Sequence, residues 1–93
     1  MNKDKLKISR NKVDHLDQKI LNLIKKRTQI VKYMLSLKKS KKEIVDHNRI
    51  KGILKKIKRK SIENDIDPRI TTKIWKSMIW SYVDFQRRNF KKK

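Results

Sequence analysis

From Leu6 to Leu37 the chain runs without a glycine or a proline, and apolar residues recur at Val13, Leu16, Ile20, Leu23, Ile30, Met34 and Leu37. Steps that alternate between three and four mark one seam of an amphipathic helix with a heptad pattern. The predicted helix covers about residues 5–39, roughly 35 residues, or about 50 Å at 1.5 Å per residue. A compact monomer of 93 residues has a radius of gyration of only about 12 Å. Such a helix has to project from its domain or be shared between chains.

The rest of the composition narrows the class. Hydrophobic residues make up 35% of the chain and charged ones 41%, so the core is thin and the surface-to-volume ratio of so short a chain is unfavourable. One Gly, one Pro and no Cys exclude a disulfide scaffold, a thiolate zinc site, a Gly-rich phosphate loop and a turn-rich β-sandwich. An all-α protein remains. No apolar run is long enough to span a membrane and no leader pattern is present, so a cytoplasmic protein is expected. The 29 Lys+Arg against 9 Asp+Glu give a net charge of +20, which reads either as a nucleic-acid footprint or as Lys-, Ile- and Asn-rich usage carried passively on the surface. Lys outnumbers Arg 22 to 7, which favours the passive reading, with nucleic acid bound only non-specifically.

The chain reads as a single domain over 1–93 with three helices. Residues Lys39–Glu43 (KSKKE) have no apolar periodicity and predict a mobile connection within a loop at 40–45. Asp46 can cap a second helix over about 46–63, whose narrow apolar face is Ile50, Ile53, Leu54 and Ile57 and whose solvated side is the run Lys55, Lys56, Lys58, Arg59 and Lys60. Asp67-Pro68 is an N-cap acid followed by proline at the first helical position. It predicts a third helix over about 68–90, with a buried stripe of Ile70, Ile74, Trp75, Met78, Ile79, Tyr82 and Phe85. Arg87, Arg88 and the tail Lys91–Lys93 are expected to be exposed.

Several polar residues fall where the pattern wants apolar ones. Arg27 takes the seam position that Ile20 and Met34 occupy one heptad on either side. A guanidinium there costs stability unless something negative meets it; it snorkels, pairs with an acid such as Asp46 or Asp84, or marks an anion site. Lys38 lies eleven residues on, close to three helical turns or about 16 Å along the axis, so it is expected to project from nearly the same face of the helix and two cations line one groove. Tyr82 and Gln86 are four apart and share a face with Trp75 and Met78, which sets a neutral donor near the core. Arg10 is seventeen residues from Arg27, about 25 Å along the same rod, and cannot share a small ligand with it in cis. His15 and His47 have no second ligand at metal spacing, so no metal site is expected.

Taken together, Arg10, the segment Val13-Asp14-His15-Leu16-Asp17, Arg27, Lys38, Asp46, Arg49 and Gln86 resemble the all-helical chorismate mutase family over about residues 6–90. The resemblance implies an intertwined homodimer in which each site takes Arg10 from the other chain, which answers the geometric problem of Arg10. It implies that Arg10 and Arg27 bind the carboxylates of a dicarboxylate with an enolpyruvyl ether, that Lys38 and Gln86 are the catalytic donors to the ether oxygen, and that Asp46, Arg49, Ile50 and Tyr82 complete the substrate-binding set. Reactions of this family are pericyclic and need no cofactor.

Two departures bear on the reaction. Mutases of this kind commonly carry a Glu after the second-helix Arg, where this chain has Ile50, and a small residue four before the Gln, where it has Tyr82. With the interval between Lys38 and Arg49, these look like the isochorismate pyruvate lyase branch, while Asp46 is closer to the mutase pattern. The expected function is isochorismate cleavage to salicylate and pyruvate together with some chorismate mutase activity, with a plain chorismate mutase, turning chorismate into prephenate, as the near alternative. A basic nucleic-acid-binding protein and a catalytically dead regulatory homologue are the readings outside it.

Overall fold

The computed structural model describes residues 1–91; Lys92 and Lys93, part of the tail expected to be exposed, lie outside the described residues. Three α-helices follow one another: α1, Asn2–Leu37; α2, His47–Glu63; and α3, Pro68–Asn89. A short 3₁₀ turn at Lys41–Glu43 sits between the first two. There is no strand among the described residues, and no helix there is long and apolar enough to cross a membrane. The chain divides into two compact units, Met1–Tyr33 and Met34–Lys93.

The first unit is a single stretch of α1. It begins earlier than expected, at Asn2, because nothing before Leu6 breaks the helix and Asp4 places a carboxylate in the first turn, where the helix dipole favours it. Ser9 and Thr28 fold their hydroxyls back on the carbonyls of Lys5 and Ile24, at 2.9 and 2.7 Å, so neither interrupts the ladder. Along the seam Val13, Leu16, Ile20 and Leu23 are each more than half exposed.

The second unit starts with the last turn of α1 and holds the core. Leu35, Ile44 and Val83 form a buried cluster with Val45 and Phe90 packed against it. α2 and α3 pack on each other, with Ile50, Ile53, Leu54 and Ile57 half-buried and the basic run from Lys55 to Lys60 exposed. A hydroxyl pair, the buried Ser61 Oγ and the half-buried Thr71 Oγ1 at 2.6 Å, ties the two helices together.

Three expectations need correction. α1 stops at Leu37, not Lys39. The amides of Lys39 and Ser40 bond to the Glu43 carboxylate, so a side chain takes the donors that a further turn of helix would have used. For the same reason residues 39–43 are an ordered turn; the S-x-x-E spacing of Ser40 and Glu43 is that of a capping box. In α3 the buried line is Ile79, Val83 and Gln86, whereas Ile70 and Ile74 are 57% and 52% exposed. α3 carries apolar residues on two faces, and periodicity does not say which of them turns to α2.

α2 ends in a Schellman arrangement: the amide of Ile66 bonds to Ser61 O at 2.8 Å and that of Asp65 to Ile62 O at 3.2 Å. This puts Asp65 in the left-handed region, at φ 57°, where glycine is preferred. Asp65→Gly is expected to stabilise the fold by up to about 1 kcal/mol, the relief of the left-handed backbone exceeding the freedom that glycine adds to the unfolded chain, read as a higher urea midpoint at unchanged slope, and Asp65→Ala to lower it.

Candidate active site

Gln86 is the polar residue on the buried line of α3, 7% exposed. A buried amide has to be satisfied at both ends. Its oxygen accepts from Lys38 Nζ at 2.8 Å, and its NH2 donates to the carbonyl of Tyr82, one turn back, at 3.2 Å. A lysine ammonium donates only, so the amide must meet it oxygen first, and the NH2 is thereby turned to the backbone of its own helix. Each group keeps donor capacity. The ammonium has two further N–H groups and the amide one, so the pair can still donate to an oxygen of a bound molecule.

Lys38 is half-buried and is the first residue beyond α1, its amide closing a tight bond to Leu35 O at 3.1 Å. Tyr82 is half-buried, its ring edge-on to Phe85 at 6.5 Å and 88°. Asp46, Arg49 and Ile50 come together at the start of α2. Asp46 caps the helix, its Oδ1 accepting the Arg49 amide at 3.0 Å and its carbonyl accepting that of Ile50 at 3.0 Å. Arg49 is exposed and Ile50 half-buried, a hydrocarbon at the first turn of α2.

Arg10 and Arg27 belong to the Met1–Tyr33 unit, Arg10 exposed and Arg27 half-buried. The helix keeps them about 25 Å apart, so they do not converge on one small ligand within the chain. His15 and His47 are exposed, and no group of His, Cys, Asp and Glu suited to a metal occurs among the described residues. Shallow depressions beside His15 on α1 and beside Trp80 on α3 contain none of the expected site residues.

Sequence reasoning passed over Glu43. Its carboxylate is held below its ordinary value of 4.5, first by the backbone hydrogen bond from Ser40 and then by that from Lys39, with the charges of Lys39 and Lys38 adding. Asp67 is likewise held below 3.8, by the Arg69 side chain, whose Nη2 reaches Oδ2 at 2.9 Å, and by the Arg69 amide.

Over residues 9–87 the chain matches the family described as chorismate mutase type II. The chain belongs to that family. The family is one of enzymes, and its match covers each residue of the candidate site, from Arg10 to Gln86. No curated protein and no solved structure matches the chain.

The acid behaviour follows from the two carboxylates. Each has a folded pKa below its unfolded one, so its contribution is complete above the unfolded value and is lost as pH falls through the folded one. Wild type is therefore expected to exceed Glu43→Gln in stability at pH 7 and to lose that advantage below about pH 4. Urea unfolding of both proteins across this range checks it; a constant difference would contradict it.

Proposed function

We propose that the chain is a pericyclic enzyme acting on isochorismate, releasing salicylate and pyruvate, and that it works as a homodimer. The observation that carries the reading is the Lys38–Gln86 pair, in which the ammonium donates to the amide oxygen at 2.8 Å while both groups keep N–H donors, inside the span that matches the chorismate mutase family. In this reading Arg27 and the partner subunit's Arg10 hold the two substrate carboxylates, and Arg49 adds positive charge. Lys38 and Gln86 donate to the ether oxygen, which gains negative charge as its C–O bond breaks. Pyruvate needs a methyl group and the ring must aromatise, so a ring hydrogen passes to the enolpyruvyl methylene as that bond opens. The atoms balance with no added reagent. The protein's share is orientation and charge stabilisation.

The choice of isochorismate is supported by Ile50, which puts hydrocarbon where a mutase would offer an acceptor to the ring hydroxyl, and by the bulk of Tyr82. Chorismate rearrangement on the same residues is the second reading, favoured by Asp46. The dimer is supported by the α1 seam, whose apolar side chains are about half exposed or more and would be covered by a second copy. The substrates are cytoplasmic metabolites in this reading, and the charge of +20 attracts their carboxylates without specificity.

Ultraviolet assays with both substrates test the reading. Wild type is expected to cleave isochorismate faster than it rearranges chorismate, and Lys38→Ala to lose roughly 10²–10³ in kcat with a smaller change in KM. Ile50→Glu should shift the ratio toward rearrangement. Absence of both activities in the folded protein would remove the enzymatic reading.

A separate experiment addresses the second chain. Light scattering should give twice the mass of one chain, and mixing Arg10→Ala with Arg27→Ala should restore one intact site per heterodimer. No recovery after demonstrated subunit exchange would count against Arg10 acting in trans.

A further inference from the structure

We propose that Glu43 is a positioning residue that aims Lys38 at Gln86 by ending α1 at Leu37; its catalytic consequence rests on the role given to Lys38 above. α1 delivers Lys38 to the point where the helix must either continue or stop. The Lys38 amide closes a three-residue bond to Leu35 O, and the next two amides, of Lys39 and Ser40, both donate to Oε2 of Glu43, that of Ser40 at 2.8 Å. The Lys39 N–H belongs to the same planar peptide as the Lys38 carbonyl. A hydrogen bond to it therefore fixes the rotation of the backbone immediately after the Lys38 Cα.

The turn that carries Glu43 is itself anchored. Its amide bonds to Ser40 O at 3.2 Å and that of Ile44 to Lys41 O at 3.1 Å, and the Ile44 side chain is 5% exposed in the cluster with Leu35 and Val83. Leu35 lies three residues before Lys38, and Val83 lies three before Gln86 on α3. One apolar cluster thus holds both ends of the turn and the helix that presents the amide. Without the carboxylate, the amides of Lys39 and Ser40 regain the α-helical carbonyls as their nearest partners. α1 then extends, and Lys38 rotates with it.

The test compares Glu43→Ala, Glu43→Gln, Lys38→Ala and the Lys38→Ala/Glu43→Ala double variant, each first shown to be folded by its dispersed NMR spectrum. The direct readout is the side-chain amide resonance of Gln86 together with hydrogen exchange at the Lys39 and Ser40 amides. Glu43→Ala should move the Gln86 resonance toward its position in Lys38→Ala and speed exchange at both amides. Glu43→Gln, whose side-chain carbonyl can accept the same bonds, should stay near wild type. In turnover, Glu43→Ala should lower kcat about 10- to 100-fold with little change in KM, Glu43→Gln should recover most of it, and the double variant should lose no more than Lys38→Ala.

A Gln86 resonance unmoved in Glu43→Ala but moved in Lys38→Ala would overturn the proposal, as would a loss in the double variant that adds to that of Lys38→Ala. If Lys38→Ala keeps full kcat while Glu43→Ala still displaces the Gln86 amide, the positioning stands and the catalytic role of Lys38 falls.

Discussion

The second unit depends on what the backbone amides just beyond α1 bond to, because a helix with no proline or glycine directly after Leu37 has no covalent reason to stop there. A carboxylate six residues further on supplies the reason. Glu43 takes the amides of Lys39 and Ser40, and the turn so formed drops Ile44 into the cluster with Leu35 and Val83. The same turn leaves Lys38 as the first residue outside the helix, where it bonds to a buried amide on α3. Helix termination, core formation and the donor pair are therefore one event.

The core that results is small. Among the described residues Leu35, Ile44, Ile79 and Val83 are the buried apolar ones, and no side chain there is completely enclosed. The ion pairs Arg59–Glu63, Arg69–Asp67 and Arg88–Asp84 are short-range in sequence and lie on the surface, where such pairs contribute little. A net charge of +20 works against compaction, and the exposed α1 seam is the apolar surface that the proposed homodimer would cover. Dimerisation and a site completed in trans would then come from the same contact.

For the reaction, the significant property of the Lys38–Gln86 pair is that its geometry has one solution. The ammonium cannot accept, so the amide must present its oxygen to Lys38 and its NH2 to Tyr82 O. The pair is thus oriented by the fold itself, which is what the proposed role in charge stabilisation would require.

Much of this was written locally. The long first helix, the Asp67-Pro68 start of α3 and the capping role of Asp46 follow from residues within a few positions of each other, and the ordered set from Arg10 to Gln86 was enough to point to the family. The S-x-x-E turn at Ser40–Glu43 was equally local, but its excess of lysine resembles a solvated connection. What neighbouring residues could not decide was the face of α3. The spacing did place Ile79 and Gln86 toward the core, but it drew Ile70 and Ile74 into the same stripe and passed over Val83; only packing against α2 and the Leu35–Ile44 cluster leaves the first two exposed and buries the third. Hydrogen bonds at helix ends are settled over three or four residues of chain, whereas the choice between two apolar faces is made by surfaces that come together only when the helices pack.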